Sequence, residues 1–520
     1  MIPGWNSDPS CTFVAEHNST FFCTTSSFSV FPGIPIYASK DLVNWRLASN
    51  GLNRATQILA LQNSTGPEEG IYASTLRYRN GTFFLVTLFV APTVGSYESL
   101  VFTTTDPYDD NAWSDPIIFP TIGWDPDLFW DDDDQAYISV SAAQYAGIVQ
   151  YPIDLMTGAT GPAYSIWNGT GGLSPESPHV YQKEGYYYLM IAEGGTGLGH
   201  METIARAPSV SGPYTAYERN PILTNRNTTQ YFQTVGHADI FQDANSNWWG
   251  ISLATRSGPT YVNYPMGRET CLYPVIWEKG DWPRLSPVRG IMATSLLPPR
   301  DKHIPGTGQF VNDADDYTFP LGSALPSHFT HWKVLNTACY TISPDSHPDT
   351  LRLTTSQTNL TGSDPSTSTE ARTLIMRRQS HTLFSYSVDL QFVPRRLEEE
   401  AGITLFLNQN QHVDIGLVLL GNSADIANAT LSVRFRTTAI SKDELPVPQS
   451  VIYPVPDTWS REHIRLQIKA VNDKYYSFGV VDGADHTHSL VLGHAPGTIV
   501  SGGTGSFTGK MFSIFIYPQR

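Results

Sequence analysis

The chain has 520 residues, which is too long for one ordinary hydrophobic core and suits two domains. Charged residues make up only 15% and aromatic residues reach 12%, a composition that excludes a disordered chain and is typical of β-rich extracellular proteins. The net charge of −16 disfavours nucleic acid and anionic membranes as partners. No stretch is long and apolar enough to span a membrane. A neutral or cationic partner is therefore expected.

Five copies of one short pattern fill the first half of the chain. Each copy opens a strand, passes through a tight turn and returns as a second apolar strand. The openers are Asp8, Tyr72, Asp125, Glu176 and His237, spaced about 50 to 65 residues apart. Because one such unit cannot bury both faces of its sheet, five of them predict a five-bladed β-propeller whose first strands line a central axis.

Three of the five openers are acidic, and this pattern indicates a reaction site. Carboxylates that share a partly desolvated volume raise one another's pKa, whereas isolated acids before proline are often only solvated turn residues. Glycosidic bond hydrolysis needs one protonated and one ionised carboxyl on opposite walls of a pocket. Asp8 and Glu176 are expected to lie across the axis, with Asp125 between them keeping Glu176 protonated. His237 is expected to fill the axis by hydrogen bonds to water or a bound cation.

The cysteines and sequons indicate an oxidising compartment. Cys11 and Cys23 flank the first turn on strands that should pair, which predicts a hairpin disulfide. Whether Cys271 and Cys339 meet stays open, and no cysteine lies in a zinc-type cluster. Asn-X-Ser/Thr sequons favour secretion and occur at Asn18, Asn63, Asn80, Asn168, Asn227, Asn359 and Asn428.

The composition changes near residue 295, where prolines and glycines predict a linker. We therefore expect a propeller over 1–295, a linker over 296–319 and a β-sandwich over 320–520. Alternating strands support the sandwich. One such strand places on a single face Phe384, Tyr386, Val388, Leu390 and Phe392. The run of three glutamates over 398–400 is expected to be a solvated loop.

Several long stretches resemble glycoside hydrolase family 43, whose five-bladed propeller enzymes act on polysaccharides that contain arabinose and xylose. They include PGWNSDPS, SFSVFPGIPIYASKDLVNWRL, GIYASTLRYRNGTFFLV, GWDPDLFWDDD, SPESPHVYQKEGYYYLMIAEGG and GHADIFQDANSNWWGISLATR. The second half resembles the concanavalin-like sandwich that many members carry. The resemblance implies an all-β fold, a five-bladed β-propeller followed by a concanavalin-like β-sandwich.

The resemblance also implies catalytic roles. Asp8 is implied to be the general base, Asp125 the pKa modulator and Glu176 the general acid of an inverting enzyme. Asp125 is preferred to Asp127 because it shares the register of the other openers. The two catalytic carboxyls of an inverting enzyme stand roughly 6.5–9.5 Å apart.

Further residues are implied around the pocket. Arg256 resembles the arginine that binds sugar hydroxyls, and Phe31 resembles the aromatic that lines the pocket; pairing with an acid and a place in the core are the respective alternatives. Tyr72 stands at a pocket position where many relatives have a tryptophan. His237 matches a histidine near the axial metal, often calcium, reached through water, and no cofactor is needed for the chemistry. Other wall candidates are Trp5, Trp124 and Trp167.

The function expected is that of a secreted, monomeric exo-glycosidase. We expect an α-L-arabinofuranosidase acting on plant arabinoxylan or arabinan, with β-1,4-xylosidase or dual activity as the first alternative. A non-catalytic carbohydrate-binding propeller is the alternative from another class. The related fructoside hydrolases are disfavoured because their Arg-Asp-Pro and Glu-Cys motifs are missing from this sequence.

Overall fold

The computed structural model describes residues 1–145, 147–292, 294–356, 358–361, 372–421, 428–440, 445–459 and 463–517. The chain forms two compact units. The first comprises residues 1–61, 69–261 and 268–312, and the second comprises 62–68, 262–267 and 313–520. Within the described ranges, no helix has both the length and the apolar character needed to cross a bilayer.

The first unit contains five antiparallel sheets, or blades, four of them with four strands and one with five. Blade one has β1 (Ser10–Val14), β2 (Thr20–Thr24), β4 (Gly33–Ser39) and β5 (Arg46–Leu52), with the short β3 (Val30–Phe31) before β4. Blade two has β6 (Gly70–Arg79), β7 (Thr82–Ala91), β8 (Ser96–Thr104) and β9 (Ile117–Phe119). Blade three has β10 (Trp124–Trp130), β11 (Ala136–Ala142), β12 (Gly147–Ile153) and β13 (Tyr164–Trp167).

The last two blades complete the ring. Blade four has β14 (Glu176–Lys183), β15 (Tyr186–Glu193), β16 (Met201–Ala207) and β17 (Thr215–Ala216), and β18 (Leu223–Thr224) also pairs with β16. Blade five has β19 (Phe232–Gln242), β20 (Trp248–Arg256), β21 (Arg268–Ile276) and β22 (Arg284–Leu285). Short 3₁₀ turns link some strands of this unit, at Leu59–Asn63, Pro92–Val94, Asp110–Ala112 and Ala143–Tyr145.

The inner strands follow one another around an axis. The strands β1, β6, β10, β14 and β19 lie side by side in that order, and β19 lies against β1. The segment before β1 joins blade five, because the Asn6 N–H donates to the Arg268 carbonyl at 2.9 Å and the Thr270 hydroxyl donates to the Asn6 carbonyl at 2.7 Å. The predicted five-bladed propeller is confirmed.

The predicted register of the five openers is wrong in two blades. Inner strands two to five each carry a β-bulge near their start, which adds a residue that alternation cannot reveal. At this point the left-handed residues, with φ between 39° and 55°, are Asp8, Ala73, Asp125, Ser177 and His237. Tyr72 and Glu176 therefore stand one residue before the position that Asp8, Asp125 and His237 share.

The first hairpin contains the predicted disulfide. Cys11 and Cys23 are direct partners across β1 and β2, and their sulfurs are bonded. Cys271 and Cys339 are both buried and unbonded. Apolar residues between blades form separate clusters, one of which packs Trp45, Trp249 and Ile251 beside this hairpin.

The second unit is built on two antiparallel sheets. The larger contains, in spatial order, β26 (Leu374–Arg378), β35 (Met511–Tyr517), β28 (Glu400–Asn408), β29 (Gln411–Leu420), β30 (Thr430–Ala439) and β31 (Val451–Pro454). The smaller contains β27 (Ser385–Leu390), β32 (Ile464–Ala470), β33 (Tyr475–Asp482) and β34 (Ser489–Pro496). Smaller elements are β23 (His331–Trp332), β24 (Tyr340–Ile342), β25 (Leu351–Leu353) and 3₁₀ turns at Thr337–Cys339 and Gly497–Val500.

A single apolar core joins these two sheets. It includes Ile403, Val413, Phe435, Leu466 and Phe478, all at most 1% exposed. The face predicted for β27 and its flanks packs on this core as expected, through Phe384, Tyr386, Val388, Leu390 and Phe392. The predicted sandwich is confirmed.

The prediction of a solvated loop over 398–400 is wrong for Glu400. Glu400 begins β28 on the face opposite the core and is fully buried. Its Oε2 accepts hydrogen bonds from Arg434 Nε at 3.1 Å and from the Tyr517 hydroxyl at 2.6 Å. Glu398, in contrast, pairs with the same arginine while 42% exposed. The three consecutive glutamates did not indicate where the strand begins, because only Glu400 belongs to β28.

Replacing Glu400 with Ala should lower the free energy of unfolding of the second unit by about 3–5 kcal/mol, because it leaves Arg434 without its buried counter-charge. The matched control is Glu398→Ala, which removes an exposed partner of the same arginine and should cost at most about 1 kcal/mol. Denaturant unfolding of the full chain measures both. Equal effects of the two substitutions would contradict a structural role for the buried pair.

Candidate active site

The inner strands bring polar side chains from all five blades to one small cavity at the axis. Its lining includes Asp8, Ser10, Asp125, His179 and His237. The left-handed backbone at Asp8, Asp125 and His237 suits these residue types, since Asp and His tolerate that conformation better than most. Such conformations concentrate at functional sites, where the surrounding fold enforces them.

Asp8 is held in its ionised form. It is 5% exposed, and Arg268 approaches both of its oxygens, at 3.2 and 3.4 Å. Its Oδ2 also accepts a 2.5 Å hydrogen bond from the Ser26 hydroxyl, and His237 Nδ1 lies 3.6 Å from Oδ1. Burial by itself raises the pKa of Asp8, but Arg268, His237 and Ser26 together bring it below its ordinary value. Asp8 is thus equipped to accept a proton.

Glu176 is held in its protonated form. Its side chain is 26% exposed, and desolvation, the negative charge of Asp125 and that of Asp8 raise its pKa to about 8. Burial also raises the pKa of Asp125, whose Oδ2 accepts a 3.1 Å hydrogen bond from the Ser177 N–H, next to Glu176. Asp125 therefore positions the strand that carries Glu176 and keeps a proton on it.

Asp127 has a different environment, two residues further along β10. Its Oδ1 lies 2.5 Å from Arg77 Nη2 and its Oδ2 accepts a 3.0 Å hydrogen bond from the Val180 N–H. Arg77 also donates to Asp239, at 3.0 Å. Asp127 is fully buried in this ion network. Of the two aspartates, it is Asp125 whose charge raises the pKa of Glu176, and the charge of Asp8 in turn raises the pKa of Asp125.

Arg268 is a site residue that the sequence pattern did not reveal. It is 6% exposed, it contacts Asp8, and its Nη1 donates to the Thr196 hydroxyl at 3.1 Å. Arg268 opens β21, the third strand of its blade, whereas the repeat marks only first strands. Arg256, the predicted sugar-binding arginine, lies on the adjacent β20 and pairs with Glu269 at 2.7 and 3.0 Å. Its contact with sugar stays a prediction.

Aromatic side chains form one wall beside Asp125. The Tyr72 ring lies 4.5 Å from that of Phe28 and 5.9 Å from that of Trp124, and Tyr97 contacts the other side of Trp124. Trp124 is 38% exposed and directly precedes Asp125 in β10. Phe31 is buried in β3. The other two wall candidates, Trp5 and Trp167, are buried as well.

His237 lies at the axis as expected, beside Asp8. Burial lowers its pKa, although Asp8 and Asp125 oppose that shift. In the described part of the chain, no group of three or more His, Cys, Asp or Glu side chains is arranged to hold a metal ion. Calcium near His237, held through water, stays a prediction from the resemblance.

Comparison with known proteins identifies the family of the chain. A family model described as glycosyl hydrolases family 43 matches residues 1–283, and a β-xylosidase C-terminal concanavalin A-like domain matches residues 325–519. The non-reducing-end α-L-arabinofuranosidase BoGH43B of Bacteroides ovatus is 32% identical over 466 residues, 88% of this chain and 82% of that protein. A β-xylosidase of Bacillus subtilis is 27% identical over 500 residues, 92% of this chain and 88% of that protein.

Solved structures agree as well. The Bacteroides ovatus xyloglucan PUL GH43B structure matches with a TM-score of 0.82 at 28% identity, covering 99% of this chain and 95% of that one. The Bacillus licheniformis BlXynB structure matches with a TM-score of 0.80 at 25% identity, covering the same shares of the two chains.

The five-bladed propeller and the match to this family model define a glycoside hydrolase. The chain belongs to glycoside hydrolase family 43, with the concanavalin-like domain at its carboxyl end.

The rate should depend on pH in a bell shape. Asp8 must be ionised, and its pKa lies below the ordinary 3.8, so kcat/KM should fall only in strong acid. Glu176 must be protonated, and its pKa of about 8 sets the alkaline limb. A pH profile of kcat/KM on a glycoside with a poor leaving group measures both limbs. An alkaline limb near pH 4 would contradict the raised pKa of Glu176, because an unperturbed glutamic acid titrates there.

Asp125→Asn and Asp127→Asn form a matched pair two residues apart on one strand. Asp125→Asn should leave unfolding nearly unchanged, shift the alkaline limb to lower pH and reduce kcat, because Glu176 loses the neighbouring charge that holds its proton. Asp127→Asn should instead destabilise the fold by about 3 kcal/mol, because Arg77 loses a buried counter-charge. Thermal unfolding and pH profiles of both variants separate the two roles, and reversed outcomes would reverse the assignment.

Proposed function

We propose that this chain is an inverting exo-α-L-arabinofuranosidase that removes arabinose side chains from plant arabinoxylan or arabinan. The observation that carries the proposal is the opposite protonation of two carboxyls at one axis, with Asp8 ionised beside Arg268 and Glu176 protonated beside Asp125. A matched base and acid with pKa values driven apart is what single-displacement glycoside hydrolysis needs.

In the proposed reaction, a water molecule on the Asp8 side attacks the anomeric carbon and gives its proton to the Asp8 carboxylate. The bond from the anomeric carbon to the glycosidic oxygen breaks, and that oxygen takes the proton of Glu176. Asp125 stays between the two groups and keeps Glu176 protonated before the step. No metal or cofactor takes part.

The choice of sugar is supported by relatives. BoGH43B, a non-reducing-end α-L-arabinofuranosidase, shares 32% identity across most of both chains. A Bacillus subtilis β-xylosidase at 27% identity supports the alternative of a β-xylosidase, and a Butyrivibrio fibrisolvens xylosidase/arabinosidase at 32% identity supports dual activity. The exposed Trp124 face next to Asp125 suits stacking of a sugar ring in each case.

The place of action is part of the same proposal. The disulfide of the first hairpin is typical of an oxidising compartment, and it supports a secreted protein. Exposed sequon asparagines in tight turns, such as Asn18 and Asn80, suit N-glycosylation. We propose a secreted, monomeric glycoprotein that meets its polysaccharide outside the cell.

Product analysis tests this proposal. The pure protein is incubated with arabinoxylan, an aryl arabinofuranoside and an aryl xyloside, with Asp8→Ala as the control that should lose all activity. Arabinose released only by the wild type is the expected result, and β-anomeric arabinose detected first by NMR would support inversion. Xylose in its place would reverse the sugar assignment, and no sugar from any substrate would favour a non-catalytic propeller.

A further inference from the structure

His200 lies behind the proposed acid and has no role in the reaction so far. It follows the glycine-rich loop 194–199 and is 1% exposed. Its Nε2 lies 3.6 Å from Glu176 Oε1, just beyond hydrogen-bond length, and this nitrogen has no hydrogen-bond partner among the described residues. A buried imidazole nitrogen with an unused lone pair directed at a catalytic carboxyl calls for an explanation.

The other ring nitrogen fixes the tautomer. Nδ1 lies 3.0 Å from the Thr234 carbonyl oxygen, which only accepts, so Nδ1 carries the proton and Nε2 is left as an acceptor. Desolvation keeps the ring neutral, since it lowers the pKa of His200 to about 3. The protein therefore presents Glu176 with a neighbour that accepts a hydrogen bond and does not donate one.

The ring has no room to turn away. Gly236 packs directly on it, and a Cβ at residue 236 would lie 2.5–2.6 Å from three of its atoms. Such a contact is impossible without a shift of the imidazole. The glycine thus keeps the Nε2 lone pair directed at Glu176.

We propose that His200 is a positioning residue that accepts the acid proton of Glu176 through Nε2 and holds it ready until the glycosidic oxygen arrives. This inference rests on the proposed role of Glu176. The protonated carboxyl can donate to Nε2, whereas the carboxylate finds no donor there, so His200 favours the acid form. After the proton has moved to the leaving oxygen, the Glu176 carboxylate, whose side chain is 26% exposed, regains a proton from solvent.

Several other groups act on the same carboxyl. Asp125 and Asp8 raise the pKa of Glu176 and Arg268 lowers it. Glu202, two residues after His200 and fully buried, accepts from the Ala238 N–H at 2.8 Å, and its own pKa is raised well above the ordinary value by desolvation, with Glu176 among the smaller causes. All of these groups remain in place when only residue 200 is changed, so a test at His200 isolates its contribution.

The test compares His200→Gln with His200→Leu. A glutamine amide can turn its NH₂ toward the carboxylate, so His200→Gln should move the alkaline limb of kcat/KM down by about one pH unit. At pH 8 this is about a fivefold loss on a glycoside with a poor leaving group, rising to about tenfold well above pH 8, and the loss should be much smaller on an activated aryl glycoside, which needs little proton donation. His200→Leu supplies no donor and should shift the limb less.

Gly236→Ala is a second variant, which moves the ring without changing its chemistry. It should shift the limb in the same direction as His200→Gln, and thermal unfolding of all three variants confirms that they fold. An alkaline limb unchanged in both His200→Gln and Gly236→Ala, or equal losses on both leaving groups, would reduce His200 to a packing residue.

Glu176→Gln separates this inference from the one on which it rests. If Glu176 is the acid, this variant loses the alkaline limb and keeps most activity on the aryl glycoside. A wild-type limb that persists in Glu176→Gln would overturn the role of Glu176. A limb that disappears in Glu176→Gln but stays fixed in His200→Gln would overturn only the role of His200.

Discussion

The propeller depends on one partly buried cation among its inner strands. Arg77, on the inner strand of blade two, donates to Ser10 of blade one, Asp127 of blade three and Asp239 of blade five, and its Nη2 lies 3.0 Å from His179 Nδ1 of blade four. One guanidinium therefore contacts the inner strands or adjoining residues of all four remaining blades. Its planar fork of donors suits this task, which a lysine's single ammonium group would not fulfil. Burial by itself lowers the pKa of Arg77, and the two aspartates raise it above the ordinary value.

The ion network around Arg77 affects how much positive charge is left to compensate the carboxyls of the candidate active site. The charges of Asp127 and Asp239 are already balanced in part by Arg77, so Arg77 is committed and does not compensate the acids nearer the start of the strands. There, Asp8, Asp125 and Glu176 share Arg268 as the one arginine that acts on all three. Three carboxyls near one guanidinium cannot all ionise cheaply in a desolvated site. Arg268 contacts Asp8 and helps to lower its pKa, whereas desolvation and the charge of Asp125 raise the pKa of Glu176, so Glu176 is the carboxyl that retains the proton.

The sequence predicted the fold because each blade repeats a hairpin pattern that local rules can read. Alternation, tight turns and the spacing of openers were enough for five blades and a sandwich. The β-bulges were not visible, because an extra residue changes the register without changing the composition. Glu400 was missed for a related reason. Its two glutamate neighbours indicate solvent, and only pairing with β29 and β35 shows that it is buried.

The site was predictable where its residues open the repeats and hidden where they do not. Asp8 lies just before the first inner strand, and Asp125 and Glu176 lie at the bulged starts of two others, so all three come from the beginnings of neighbouring inner strands. Arg268 opens a third strand, and His200 follows a loop, and neither position repeats from blade to blade. Arg256 and Arg268 lie on adjacent strands, with Thr255 paired directly to Arg268. Sequence alone has no means to say which of two such arginines turns to the axis.

The loop over 194–199 links the surroundings of the proposed base, Asp8, to those of the proposed acid, Glu176. Thr196 accepts from Arg268, which contacts the base Asp8, and His200 at the end of the loop faces the acid Glu176. The shape of the loop is set by glycine, because a Cβ at Gly194 would lie 2.0 Å from the Gly199 carbonyl oxygen and its φ is +89°. A change in this one loop is therefore expected to act on both carboxyls, Asp8 and Glu176.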